Sequence, residues 1–482
     1  MRRARRLALL VAFASAAVSA EPVTHNYTIT VDYSMSRLWV EARFSHPVGS
    51  VIARSGDAGK FLLDVRGCRD EQQIRMRNQR MMLPDHGIEC MNYTVDLARA
   101  AEAHRFSKML APNNIIVSPS YWIWRPELRN DTNIRVRFRL PENVRVAVPW
   151  QRLPEDGFVY LIAESPESAF APVVFGNFDY HDVDVPGATL RVTLVEGVDE
   201  MDNESIVQWI RAAATDVSLA YGRFPNPSPN VVVIPVGKSR NNNWSAVPFG
   251  RVIRDGGETV ELQVDQSQPL HVLLADWTAT HEFSHLLLPF VEHKHRWISE
   301  GFAQYYQNVL LARAGAYDDL YAWQKISDGY ERGRQSRPEL SPNEATAGSG
   351  RSGLMKMYWS GAALALMADV ELRERSDGAR SLDDVLDRFQ ECCLPSQRIW
   401  SGPDLFAKFD ELAGTPVFMP LYRRIADTAG FPDMNAVFER LGLIVTDGKV
   451  HIRRGAELHA IRNAILETDP AIANWRERLA SN

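Results

Sequence analysis

His281 and His285 stand four residues apart, with Glu282 between them in the string His-Glu-Phe-Ser-His. On a helix, positions four apart share a face, so both imidazoles can reach one metal ion while the neighbouring carboxylate holds a water. Two imidazoles leave a tetrahedral ion short of ligands. Fourteen residues intervene before Glu300, in the string Trp297-Ile298-Ser299-Glu300-Gly301-Phe302-Ala303-Gln304-Tyr305-Tyr306. A second helix opening there brings a carboxylate to the same ion and leaves a fourth position for water. Tyr358 follows in a Tyr-Trp-Ser-Gly run, at the mouth of a helix expected over Gly361–Arg375, where its phenol can donate to a developing oxyanion. The pattern spells metal-assisted hydrolysis, with His281, His285 and Glu300 as ligands, Glu282 as general base and Tyr358 as transition-state donor. Zinc suits this donor set, and cobalt or nickel could replace it in vitro. The bland alternative is an amphipathic helix carrying surface histidines.

These residues need helices to hold them. Helical periodicity runs through 273–288, closed by Pro289, and again through 299–313, 360–375, 403–413 and 433–441. A further helical run from Glu204 to Tyr221 precedes the buried-strand run Val231-Val232-Val233-Ile234. Upstream of Asp199 the pattern is strand-like. Asn26–Val31, Leu38–Phe44, Ile134–Leu140, Phe158–Ile162 and Thr189–Val195 alternate or cluster apolar residues between Pro, Gly and polar punctuation. The fold class read from this is multidomain: an N-terminal antiparallel β-sandwich, with Leu97–Leu110 as a helical insertion, then an α+β, mostly helical domain. The expected divisions are 1–20, 21–199, 200–443 and a tail segment, 444–482, with the acidic stretch Glu196–Glu204 as the main boundary. Ser327–Gly353, poor in apolar residues and rich in Gly, Ser, Pro and Arg, reads as a mobile loop.

HEFSH followed by WISEGFAQYY resembles the gluzincins, the zinc peptidases with a thermolysin-like catalytic domain. Aminopeptidase branches carry a similar W-x-x-E-G-F-A string. Tyr358-Trp359-Ser360-Gly361, followed by Ser381-Leu382-Asp383-Asp384-Val385-Leu386, is most similar to the glycyl aminopeptidase branch. The resemblance implies a zinc aminopeptidase with one Zn2+ per chain and a peptide or protein substrate. It implies the same five residues in the same roles. One departure concerns the strand that in aminopeptidases supplies a glutamate for the substrate's free amine. Here it reads Val247-Pro248-Phe249-Gly250-Arg251-Val252, then Gly256-Gly257-Glu258. Glu258 is out of register for the role and reads more readily as a solvated strand-end carboxylate. A substrate-binding edge strand near Gly250 is still expected. Arg251 cannot pair with an ammonium, which favours internal cleavage or capture of an acidic group. The alternatives are thus a zinc endopeptidase and a non-catalytic binding protein on the same fold. His293 and His295 read as solvated loop residues, and Trp297, Tyr305 and Tyr306 as core packing.

The rest of the sequence sets the setting. Of 482 residues, 45% are hydrophobic and 10% aromatic, which is ample for sizeable cores and excludes a disordered or collagen-like chain. A net charge of −6 argues against a dedicated nucleic-acid partner. Residues 1–20 begin with arginines, continue through an apolar stretch from Leu7 to Val18 and end in Val-Ser-Ala, the form of a secretory signal peptide. No later apolar run reaches the roughly 18 residues of a membrane span. Periplasmic or extracellular residence is therefore expected, and the four cysteines read as possible disulfides. Cys68–Cys90 is a plausible bridge. Cys392 and Cys393 are expected to pair elsewhere or stay free, because joining neighbours closes a strained ring. Oligomeric state is not written in the sequence.

Overall fold

The computed structural model describes residues 23–481 apart from 70–71, 78–79, 104–112, 127–131, 155–157, 163–172, 179, 198–201, 238–244, 255–256, 349 and 397. The expected leader, 1–20, lies outside the described residues. Along Val23–Val31 and Arg37–Val48 buried and exposed side chains largely alternate, so each strand turns one face to a core and the other to solvent. They belong to a seven-stranded sheet in the spatial order Gln151–Arg152, Val159–Ile162, Thr132–Arg139, Val23–Val31, Arg37–Val48, Ile88–Asp96, Leu62–Gly67. A three-stranded sheet of Asn114–Val117, Val173–Gly176 and Arg145–Ala147 shares its core, where Phe138 meets Trp150 and Phe175. Pairing in both sheets is antiparallel, with one exception: Val23–Val31 runs parallel to Thr132–Arg139. The expected helix over Leu97–Leu110 forms at Leu97–Glu102, capped by the Asp96 carboxylate. Its remainder falls largely outside the described residues.

The second half is built on a five-stranded mixed sheet. Its order is Tyr180–Val185, Ala188–Leu194, Asn230–Pro235, Glu258–Val264, Phe249–Arg254. This moves the boundary expected at 199. Ala188–Leu194 pairs in parallel with Asn230–Pro235, so backbone hydrogen bonding assigns everything from Tyr180 onward to the second unit. Val231–Ile234 is fully buried in the middle, as its unbroken apolar run implies. Phe249–Arg254 is the edge strand.

Three helical expectations are corrected. The run 273–288 is not one helix. The chain turns extended at Asp276, whose carboxylate accepts from the Thr278 backbone N–H at 2.8 Å. That local hydrogen bond competes with continuing the helix. Helix restarts as Thr278–Ser284 and tightens into a 3-10 turn over His285–Leu287. The helix before Ser381 spans Leu354–Arg375 rather than starting at Gly361, so Tyr358 sits a full turn inside it. Ser327–Gly353 is ordered as the end of Asp319–Gln335, the helix Pro342–Gly348 and a 3-10 turn at Gly350–Gly353. Two of its glycines read as loop signals but are packing sites. A Cβ on Gly329 would lie 2.2 Å from the Trp359 indole, and one on Gly333 would lie 2.8 Å from the same side chain.

The expected tail segment, 444–482, is part of the second unit. Its hairpin strands Leu443–Thr446 and Lys449–Ile452 lead to helices His459–Ile465 and Pro470–Ser481. Buried Arg476 donates to Asp216 Oδ2 at 2.6 Å and to the Leu274 carbonyl at 2.8 Å, and Arg313 Nε donates to the Ile465 carbonyl at 2.9 Å. Cys68 is bonded to Cys90. Cys392 and Cys393 are bonded to each other, contrary to expectation; with the first pair closed, no third sulfur remains for either. Among the described residues, no helix is long and apolar enough to cross a membrane.

Candidate metal centre

Two glycines bring the helices Arg296–Arg313 and Leu354–Arg375 together. A Cβ on Gly301 would lie 2.2 Å from Gly361 Cα, and one on Gly361 would lie 2.1 Å from the Trp297 carbonyl oxygen. Only glycine permits that approach. Glu300 and Tyr358, each within three residues of the crossing, face the helix Thr278–Ser284. Glu300 Oε2 lies 3.5 Å from His281 Nε2 and 3.4 Å from His285 Nε2. The Tyr358 and His281 rings are 6.0 Å apart.

His281, His285 and Glu300 are buried, and one ligand atom from each falls within 4.8 Å of the others. A tetrahedral ion with bonds of about 2.0–2.1 Å needs donors about 3.3–3.4 Å apart, so the two histidine–glutamate distances suit such an ion. The rings are also set for it. Gln307 Oε1 lies 3.2 Å from His281 Nδ1 and accepts its proton, which turns the Nε2 lone pair toward Glu300. Ser299 Oγ holds His285 Nδ1 at 3.0 Å. The second carboxylate oxygen, Oε1 of Glu300, accepts from Arg296 Nε at 2.8 Å and from a second guanidinium nitrogen at 2.6 Å. Burial works to raise the Glu300 pKa, but His285, His281 and Arg296 overcome it and hold the carboxylate ionised.

Glu282 is buried beside this set without belonging to it. Burial pushes its carboxyl up to about 7 in the metal-free protein. The edge strand passes directly over it: a Cβ on Gly250 would lie 2.4 Å from Glu282 Cγ. Burial also raises the Tyr358 phenol, so it stays protonated as a donor. His281, Glu282 and Tyr358 line one cavity of about 500 Å³ together with Val247–Gly250, Trp277, Gln304 and Gln307. All five residues singled out in the sequence therefore converge on one site, and the edge strand near Gly250 borders it as expected.

Solved structures share this arrangement of units. An aminopeptidase N family protein from Idiomarina loihiensis matches with a TM-score of 0.61 at 13% identity, over 88% of this chain and 79% of that one. A mutant M1 zinc metallopeptidase from Deinococcus radiodurans matches with 0.51 at 14% identity, over 86% and 96%. The same mutant with a Tyr-Ser-Ala substrate bound gives 0.50 at 14% identity, again over 86% and 96%. This chain shares the fold of these structures. Comparison with known protein-family models and with curated proteins finds no match.

Within that fold, several expectations change. Glu258 is neither at the metal site nor solvated. Arg254 Nε donates to it at 2.8 Å in a pair only 8% exposed on each side, and it lines a separate cavity of about 460 Å³ with Trp150, Tyr180 and Arg191. Arg251 is not among the described residues lining the metal-site cavity and pairs at 2.7 Å with fully buried Glu261 on the neighbouring strand. His293 is exposed as expected, but His295 is buried and structural: its Nδ1 accepts from Gly402 N at 3.0 Å and its Nε2 meets the Tyr422 hydroxyl at 2.9 Å. Trp297, Tyr305 and Tyr306 are core residues, as read from sequence. Ser381 and Asp384 form a capping box for the helix Leu382–Cys393, which gives that motif a structural purpose. Arg296, Ser299 and Gln307 were missed. Arg296 lies one helical turn before Glu300 and Gln307 two turns after it, so the i, i+4, i+7 pattern from a known ligand would have found two of the three.

Proposed function

We propose that this chain is a zinc-dependent peptidase that hydrolyses peptide bonds at the His281–His285–Glu300 centre, aminopeptidase-like in its architecture. The observation that carries the reading is Glu282: a carboxyl buried next to a complete ligand set, excluded from it and open to the same cavity as Tyr358. A structural metal site has no use for either group. The fold likeness to structures described as an aminopeptidase N family protein and as M1 zinc metallopeptidases supports it.

When bound, zinc supplies Lewis acidity, polarising a carbonyl and lowering the pKa of water. Gly250 lets the edge strand lie directly against Glu282, so a peptide backbone paired along that strand runs past the carboxyl. Glu282 takes a proton from the attacking water and delivers it to the leaving amine nitrogen. The Tyr358 hydroxyl donates a hydrogen bond to the oxygen that becomes negative. Arg296 and Gln307 position Glu300 and His281 throughout. The leader over residues 1–20 directs the protein out of the cytoplasm, to the periplasm or beyond the cell, a reading supported by two disulfides.

Metal analysis should find about one zinc per chain. His285→Ala should abolish that stoichiometry and His293→Ala should preserve it. Incubating the protein with a mixed peptide library should give cleavage that a chelator removes. Zinc at full occupancy with no peptide cleaved would sink the reading in favour of a binding protein. Cleavage within chains is a second reading, favoured by the absence, among the described lining residues, of any carboxylate except Glu282 to receive a free amine. Equal cleavage of free and N-acetylated forms of one peptide would establish it over the aminopeptidase reading.

A further inference from the structure

The helix Asp319–Gln335 presents Lys325 and Arg332 to the active-site cavity. They are two turns apart, on one face. Among the described residues neither is ion-paired with a carboxylate, unlike the other arginines around them. Arg251 pairs with Glu261, Arg254 with Glu258, Arg296 with Glu300, and Arg334 on the same helix with Glu331. Lys325 and Arg332 rest instead on aromatic faces. The Lys325 ammonium lies 5.3 Å from the ring centres of Tyr317 and Tyr321, and the Arg332 guanidinium lies 5.3 Å from that of Trp359. Such contacts orient a cation without neutralising it.

Among the described lining residues of the same cavity the one carboxylate is Glu282, which is committed beside the metal ligands. A substrate ammonium would therefore face two positive charges with no negative partner, whereas a substrate carboxylate would find two donors. Resting on the peptidase reading, we propose that Lys325 and Arg332 form a carboxylate-recognition subsite. It selects peptides carrying an acid group near the scissile bond. The acid is either an acidic side chain or the terminal carboxylate of a short peptide, and both present the same chemistry to the two cations.

The test uses the zinc-loaded full chain and matched peptides, each made with a free and with an N-acetylated amino end. One position at a time on either side of the cleaved bond is Glu, Gln or Lys, and each peptide is made with a free and an amidated C-terminus. An acid group is expected to raise kcat/KM by about tenfold or more over its neutral counterpart, the scale of a hydrogen bond to a charged group. If the Glu peptides gain as amides and free acids alike, the side chain is the ligand; if the free acids gain regardless of sequence, the terminus is. The double variant Lys325→Glu, Arg332→Glu should reverse the ranking toward the Lys peptides while keeping its zinc. Lys325→Gln, Arg332→Gln should flatten it, and Arg334→Glu on the same helix should leave it unchanged. Acidic peptides cleaved no faster than neutral ones, or a ranking indifferent to both double variants, would overturn the subsite and leave the peptidase standing. No cleavage of any peptide by the zinc-loaded chain would overturn the peptidase reading and this inference with it.

Discussion

The helices Arg296–Arg313 and Leu354–Arg375 lie against each other along much of their length, yet their two halves treat charge in opposite ways. In the C-terminal halves the buried ionisable groups are paired with one another or with Asp383. Tyr305 donates to Asp369 at 2.8 Å, Tyr306 to Asp383 at 2.8 Å, Arg313 to Asp383 at 2.9 Å, and Arg373 to Asp369 at 3.0 Å. In the N-terminal halves Glu300 and Tyr358 meet the motif histidines, and the neighbouring cavity holds Glu282, Lys325 and Arg332 without ion-pair partners among the described residues. The paired end is scaffold. The end with unmatched donors and acceptors is where something from outside must supply the match, and desolvated groups left in that state are tolerated only for such a use.

Breaking the unmatched end should cost chemistry and leave stability alone. Glu282→Gln is expected to retain zinc and melting temperature while kcat/KM falls by about 10²–10⁴-fold. The pH profile sharpens this. Protonated Glu282 cannot accept a proton, burial sets its carboxyl at about 7 without metal, and a dication alongside lowers it. The wild-type rate should therefore decline on acidification from a midpoint at or below about pH 7, and the residual rate of the variant should lack that limb.

Breaking the matched end should do the reverse. Asp383→Ala leaves buried Arg313 without a carboxylate and the Tyr306 hydroxyl without its acceptor, and urea unfolding should show a loss of about 3–5 kcal/mol. Zinc per folded molecule should stay at its wild-type value. A fall in zinc content with unchanged stability would erase the distinction between the two ends. Tyr358→Phe probes the border, since its hydroxyl faces the cavity from a buried helix. Single-turnover rates should drop by about 10²–10³-fold with little change in unfolding midpoint. The smallest effect is expected at His295→Ala, which gives up the contacts with Gly402 and Tyr422. Differential unfolding should register about 1–3 kcal/mol, with metal binding intact.

The metal centre was legible because its determinants are local. Four-residue spacing fixes His281 and His285 on one face, and Glu300 opens the next helix, so short-range periodicity carries the ligand set. What the sequence concealed was decided by distant partners. His295 reads as solvated inside a charged connector, but Gly402 and Tyr422, over a hundred residues away, enclose it. Gly329 and Gly333 read as loop residues because nothing nearby announces the Trp359 indole against them. Tyr180–Leu194 reads as part of the sandwich because strand alternation is blind to which sheet a strand joins. Lys325 and Arg332 look like any surface cations until, among the described residues, both are found against aromatic rings and in no ion pair.

Arg476 grips the carbonyl of Leu274, four residues ahead of Thr278 and the helix that bears the histidines, across 202 residues of chain. As a chain grows at about 5–20 residues per second, that separation is an interval of about 10–40 s. Throughout it the histidines exist but the segment leading into them has no final anchor, and the far end of the Glu300 helix still waits for Ile465. The β-sandwich, whose strands all lie ahead of Tyr180, can close in the meantime. Assembly is thus sequential: the β-sandwich can finish early, and the unit that bears the histidines is sealed only when the helix Pro470–Ser481 arrives. On the peptidase reading, a nascent chain does not carry a finished blade past its own unfolded neighbours.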